Sequence, residues 1–181
     1  MRIISGSLRS LKLQTLSSNT TRPSSDRLKE SLFNAMFMRC DGQRWCDMFA
    51  GSGAIGLEAL SRGAKEVVFI EQDKEAFKVL RSNVETCKMQ TQSILIHDDA
   101  IHVIHNQSLG VFDVIFMDPP YDMSLEWFIE PLLKQAWYDK DTLFVFERRS
   151  QEDLSSLSLR FEIIKQRKVG QSQYVIACIK V

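Results

Sequence analysis

The sequence has 181 residues and 20.8 kDa, with 44% hydrophobic and 25% charged side chains. That balance belongs to folded globular chains and excludes collagen-like and disordered classes. A chain of this size buries about 70% of its unfolded surface, so one core needs no metal or disulfide staple. Twenty-three basic and 23 acidic residues cancel, yet residues 1–29 alone carry +5, from Arg2, Arg9, Lys12, Arg22, Arg27 and Lys29 against Asp26. The rest of the chain carries −5. A basic arm on an acidic body suits a polyanion-binding face. No apolar run reaches the ~18 residues of a membrane helix. The stretch Met1–Gly6 lacks a signal-peptide core, and Cys40, Cys46, Cys87 and Cys178 make no C-x-x-C pair. The expectation is a cytoplasmic protein with reduced thiols and no membrane contact.

In chain order, Arg2–Ser5 and Leu8–Gln14 read as a hairpin turning at Gly6-Ser7. Residues 16–23 read as a loop. A helix capped by Ser24 or Ser25 follows, with Leu28, Leu32, Ala35 and Met36 on one face and Arg27, Lys29 and Glu30 off it. From Trp45 the chain alternates. Strands are expected at Trp45–Phe49, Val67–Glu71, Ser93–His97, Val111–Met117, Thr142–Glu147, Arg160–Gln166 and Gln173–Lys180. Helices are expected at Ala54–Ser61, Lys74–Thr86, Ala100–Asn106 and Leu125–Ala136, with a short turn near Gln151–Leu157. Alternation of this kind builds an α/β, Rossmann-like open sheet with helices on both faces. The last two strands are too close for a parallel crossover, so one of the seven runs antiparallel at the C-terminus.

The chemistry concentrates in two places. Asp47-Met48-Phe49-Ala50-Gly51-Ser52-Gly53-Ala54-Ile55-Gly56 is a strand entering G-x-G-x-x-G and then a helix, which lets the backbone approach a ligand closely. Glu71 follows twenty residues after Gly51, at the end of the next strand, where a carboxylate accepts from both hydroxyls of a ribose. These features suit a nicotinamide or an S-adenosylmethionine site equally. A dehydrogenase is expected to need a further substrate domain.

The second place is Asp118-Pro119-Pro120-Tyr121, at the end of the fourth sheet strand, where open α/β sheets bind ligands. The prolines restrict their neighbours and lack N–H groups, leaving only acceptors. Asp118 and the Pro119 carbonyl can take both hydrogens of an exocyclic amine, aiming its lone pair at an electrophilic methyl. Tyr121 offers a face on which a flipped-out base stacks. The expected reaction is methylation of a nucleobase amine.

Asp99, after the third strand, can accept from an adenine amino group or cap the helix that follows. His102 and His105 share a helix face without a third ligand, so no metal is expected. Arg148, Arg149, Lys165, Arg167 and Lys168 read as solvated surface.

The chain resembles the RsmD family of bacterial 16S ribosomal RNA guanine-N2 methyltransferases, within class I S-adenosylmethionine-dependent enzymes. The resemblance rests on Arg2–Gly6, on Arg22–Asn34, on Asp47–Ala64 and on Asp118–Tyr121, and covers most of the chain. It implies transfer of one methyl to the N2 amine of the guanine conventionally numbered 966, in the 30S subunit or a late assembly intermediate. It implies that Asp47, Phe49, Gly51, Gly53, Glu71, Asp99 and Ala100 line the cofactor, while Asp118, Pro119 and Tyr121 hold the guanine. Arg2, Arg9, Lys12, Arg22 and Arg27 would grip RNA phosphates. Residues 1–23 are then a basic extension on a methyltransferase domain at 24–181, and the protein is a monomer. Ser10 and Leu11 depart from the family, which usually has a glycine and an arginine after Arg9; His97 stands where a glycine is usual. The alternatives are an amino-methyltransferase of DNA adenine or protein glutamine, or a non-catalytic ribosome-assembly factor.

Overall fold

The computed structural model describes residues 1–16, 26–36 and 40–180. Seven strands make one sheet: β1 (Arg44–Asp47), β2 (Glu66–Ile70), β3 (Ser93–Ile96), β4 (Val114–Met117), β5 (Leu143–Arg149), β6 (Phe161–Val169) and β7 (Ser172–Ile179). Their order is β3-β2-β1-β4-β5-β7-β6, parallel throughout except for β7, which is antiparallel to both neighbours. The expected α/β sheet with one reversed strand is present. The reversed strand is not at the edge, because β7 inserts between β5 and β6.

Side-chain alternation explains the two layers. Trp45, Val67, Phe69, Val114, Phe116 and Val145 face one way, onto α1 (Asp26–Ala35), α2 (Ala54–Ser61) and α3 (Lys74–Thr86). Cys46, Val68, Ile70, Ile115, Met117 and Phe144 face the other, onto α4 (Ala100–Asn106) and α5 (Glu126–Leu132). Strands apolar on both faces are what helix-covered parallel sheets require. α2, α3 and α4 match their expected bounds. α5 is shorter than Leu125–Ala136: it contains Pro131, and the chain beyond Leu132 tightens into turns (Lys134 N–H to Pro131 O, 3.1 Å). β4 starts at Val114 rather than Val111. The Arg44 side chain takes the Leu109 and Val111 carbonyls, at 2.6 and 3.2 Å, so this approach is no ladder. Ser24 and Ser25, the expected cap of α1, lie outside the described residues.

The N-terminal arm reverses as expected, but through one antiparallel bridge, Arg2 to Lys12, rather than two strands meeting at Gly6-Ser7. Ile3, Ser10 and Leu13 donate across the arm, to the Leu11, Ile3 and Met1 carbonyls at 2.9, 2.9 and 3.0 Å, and four other N–H groups go to α2. Ile4 and Ser5 donate to Glu58 at 2.7 and 3.0 Å, and Ser7 and Leu8 donate to Ser61 at 2.8 and 2.9 Å. The arm is thus pinned to α2. Lys29, expected on the solvated side of its helix, is fully buried. Its ammonium donates to the Arg2 carbonyl and lies 3.8 Å from Glu58 and from Asp26. Burial lowers its pKa, against the pull of those carboxylates. All four thiols are free, and burial pushes Cys40 up to about 12.

Candidate active site

The chain winds outward from β1 through β2 to β3 on one side and from β4 to β5 on the other. The crevice between β1 and β4 is the switch point of the sheet. A cavity of about 530 Å³ opens there, lined among others by Asp47, Gly51, Glu71, Asp98, Asp118 and Tyr121. Each of the five contiguous parallel strands β3-β2-β1-β4-β5 carries a carboxylate at or within two residues of its C-terminal end: Asp98, Glu71, Asp47, Asp118 and Glu147.

The glycine loop sits over β1. Gly53 has φ 81°, a left-handed conformation that costs glycine nothing, and donates to the Ala50 carbonyl at 2.7 Å to close the turn. Glu71 Oε2 accepts the Gly51 N–H at 2.7 Å and Oε1 accepts the Asp73 N–H at 2.7 Å. Burial raises its pKa despite these bonds. Each oxygen keeps a second lone pair for a hydroxyl. Asp47 is buried; Oδ2 accepts the Gly56 N–H at 3.2 Å, while Oδ1 has no partner among the described residues. Burial lifts its pKa to about 7, helped by the charges of Glu71 and Glu147. Phe49 and Ala100 also line the cavity.

Asp99 caps α4: its Oδ1 accepts from Ile101 and His102 at 2.9 and 3.1 Å. The carboxylate on the cavity wall at this corner is Asp98. It accepts the Asp99 N–H at 2.8 Å and meets His102 Nδ1 at 2.7 Å, bonds that lower its pKa, the His102 bond most. Among the described residues no three His, Cys, Asp or Glu side chains form a metal-binding group.

Asp118 is half-buried and makes no hydrogen bond to the described residues. Its pKa lies well above the usual carboxylate range, first through burial, then through Glu147 and Asp47, with Arg148 opposing. Tyr121 keeps an exposed ring beside it, with the Arg149 guanidinium 4.5 Å from the ring centroid. Two arginines differ from expectation. Arg149 is exposed but lines the cavity. Arg148 is 2% exposed, not solvated, and donates into the Pro119–Met123 loop. Sequence reasoning also missed Glu147, although an acid ending the apolar run Leu143–Phe146 repeats the pattern of Asp47 and Asp118.

Arg2, Arg9, Lys12 and Arg27 are exposed on the arm and α1, with Arg2 paired to Asp26 at 3.4 Å. Arg22 lies outside the described residues. Lys165, Arg167 and Lys168 are exposed along β6. Among the described residues no helix is long and apolar enough to cross a membrane.

A family model described as "Conserved hypothetical protein 95" matches residues 1–178. The chain belongs to this family, the RsmD family. Ribosomal RNA small subunit methyltransferase D of Haemophilus influenzae is 35% identical over 177 residues, covering 96% of this chain and 91% of that protein. The Escherichia coli K12 protein of the same name is 31% identical over 175 residues, covering 96% and 87%. A solved Escherichia coli structure, the candidate methyltransferase yhhF, superposes with TM-score 0.87 at 30% identity, covering 99% of this chain and 98% of that one. The likeness of this RsmD-family member to yhhF therefore extends over nearly the whole of both chains.

Proposed function

We propose that this chain transfers one methyl group from S-adenosylmethionine to the N2 amine of a guanine in 16S ribosomal RNA. Its substrate is the 30S subunit or a late assembly intermediate, and it acts as a monomer in the cytoplasm. The observation that carries this reading is Asp118: an acceptor without a partner among the described residues, beside the Pro119 carbonyl, across the crevice from the glycine loop. The names of the relatives support the RNA class.

The cavity fits that cofactor. Its volume suits a nucleoside-sized ligand. Asp47 Oδ1 is an orphaned buried acceptor, and a rim of strand-end carboxylates favours a ligand carrying positive charge. S-adenosylmethionine, when bound, supplies an electrophilic methyl on a sulfonium. Glu71 would take its ribose hydroxyls, and Asp47 would accept from its amino-acid end. The Asp98–Ala100 corner would meet the adenine, with Asp99 fixing that corner as the helix cap. Asp118 and the Pro119 carbonyl each accept one hydrogen of the guanine amine, which pyramidalises the nitrogen and aims its lone pair. As the nitrogen–carbon bond forms and the methyl carbon–sulfur bond breaks, its electron pair leaving with the neutral thioether S-adenosylhomocysteine, the Asp118 carboxylate stabilises the positive charge on nitrogen. The surplus proton then leaves to Asp118 or to water. Tyr121 stacks against the base. Residues 1–23 act as the RNA-gripping extension of the domain at 24–181, through Arg2, Arg9, Lys12 and Arg22, with Arg27 on α1.

The test uses 30S subunits from cells lacking this protein, incubated with it and methyl-labelled S-adenosylmethionine, followed by digestion and mass spectrometry. N2-methylguanosine at one position is the expected product, and Asp118→Ala should abolish it while sparing cofactor binding. Label in adenosine, DNA or protein would discard the guanine assignment. Full turnover by Asp118→Ala would discard the mechanism.

A further inference from the structure

We infer that Arg148 is a positioning residue for methyl transfer: from inside β5, its guanidinium sets the loop that presents Asp118 and the Pro119 carbonyl to the amine. The inference rests on the reading above.

All five donors of the guanidinium are engaged. Nη1 donates to the carbonyls of Pro119 (2.9 Å) and Pro120 (3.2 Å), and Nη2 to those of Tyr121 (3.1 Å) and Met123 (2.9 Å). Nε meets both carboxylate oxygens of Glu152, at 2.8 and 2.9 Å. Four of the five carbonyls between residues 119 and 123 thus converge on one planar group. That loop is short of its own donors, because neither proline has an N–H. Inward-facing carbonyls without partners would be costly to bury. The fork geometry matters, since an ammonium is a point charge and cannot match four fixed directions at once.

Two consequences reach the chemistry. The Pro119 oxygen has two lone pairs, and Arg148 occupies one, leaving the other for an amine hydrogen. The direction of the amine clamp is therefore set from behind. The same cation sits within an acidic group. Asp118 is faced by Glu147 and Arg148 from β5, by Asp47 from β1, and by Tyr121 from its own loop. Extending the register Met117↔Phe146 by one step brings Asp118 level with Glu147. Arg148 is the cation that offsets this repulsion and keeps Asp118 ionised as an acceptor at lower pH.

Arg148→Lys and Arg148→Gln separate the two effects, measured as pH profiles of kcat and KM on 30S particles beside the wild type, with thermal melts and cofactor-binding titrations. Arg148→Lys keeps the charge and loses the fork: kcat should fall about 100-fold with the acid limb unmoved and cofactor affinity unchanged. Arg148→Gln should lose as much and also move the acid limb to higher pH. Wild-type kcat in either folded variant overturns the inference, as does a loss confined to cofactor affinity. If neither variant folds, Glu152→Gln loosens the same guanidinium from its more exposed side; a several-fold drop in kcat at constant cofactor affinity supports the inference, and wild-type kcat overturns it. A wild type that transfers no methyl overturns the underlying reading and this inference with it, whereas active wild type with unaltered variants overturns the inference alone.

Discussion

Glu71 accepts the Gly51 N–H at 2.7 Å, so the acid that follows the second strand holds the loop that follows the first. Its other oxygen takes the Asp73 N–H, and Asp73 in turn caps α3 by accepting from Glu75 and Ala76. One carboxylate therefore orders both rims of the cofactor end. Replacing it by a carboxamide keeps one acceptor, removes the other and removes the charge. Charge-assisted hydrogen bonds contribute about 1.5–3 kcal/mol, so Glu71→Gln should raise KM for S-adenosylmethionine about 10- to 100-fold, with kcat changed little. Isothermal titration of the cofactor beside steady-state kinetics checks this. An unchanged affinity would detach Glu71 from the ribose.

Asp47 illustrates the opposite balance between binding and stability. Its pKa of about 7 is above the value near 4 of an unfolded aspartate, so the folded state binds the proton more tightly. Stability from this group is complete at low pH and declines as pH rises from about 4 through about 7. Asp47→Asn keeps an acceptor for the Gly56 N–H and never ionises. It should therefore melt higher than wild type at pH 8, by about 2–4 kcal/mol, with the difference gone by about pH 4. The same variant should bind S-adenosylmethionine more weakly. Thermal melts across pH 4–8 decide the matter: a variant less stable than wild type at pH 8 would show that the buried charge has a partner in the folded protein.

Much of this architecture was legible because local signals and tertiary demands agree. α3 spans its expected residues since Asp73 is a good cap and Ala76, Leu80 and Val84 recur on one face. The glycine loop and Asp118 were legible for the same reason, each being a strand end with unusual chemistry. The place of β7 was readable in principle: Tyr174–Ala177 is apolar on both faces, whereas Glu162–Lys168 alternates nothing and is exposed, as an edge strand is. The arm was misread because four of its N–H groups, those of Ile4, Ser5, Ser7 and Leu8, find acceptors 53 and 54 residues away on α2, which no local pattern announces. Arg148 was misread for a related reason. Its partners are backbone carbonyls 25 to 29 residues earlier, and carbonyls leave no mark in a sequence.

Gly6 shows how closely that arm is fitted. A Cβ there would lie 1.8 Å from the Ser61 carbonyl oxygen, and the residue already has φ +86°. The obstacle is helix backbone, which cannot step aside, so Gly6→Ala must lift the arm off α2. The expected cost is about 2–3 kcal/mol of local stability. Because Met1, Thr15 and Leu16 line the cavity, cofactor affinity should also fall several-fold. Limited trypsin digestion reads the effect directly, with faster cleavage at Arg9 and Lys12 while the sheet stays intact. Wild-type cleavage rates would mean that the arm is docked less tightly than its hydrogen bonds imply.

The arm's charges do not contribute equally to RNA binding. Lys29 is buried against Glu58, and Arg2 is paired with Asp26, which leaves Arg9 and Lys12 on the arm, with Arg27 on α1, as cations without an ion pair among the described residues. Phosphate contacts release counterions, so each one lost flattens the dependence of log K on log salt by about 0.7–0.9. Arg9→Glu with Lys12→Glu should therefore weaken binding to small-subunit RNA and flatten its salt slope by about 1.5 or more, while S-adenosylmethionine affinity stays at the wild-type value. Arg2→Ala should flatten it less, since the Asp26 carboxylate already engages that guanidinium. Filter-binding across a salt series measures both slopes on one RNA. A double variant with the wild-type slope would place the phosphates elsewhere, with Lys165, Arg167 and Lys168 on the edge strand next to be reversed.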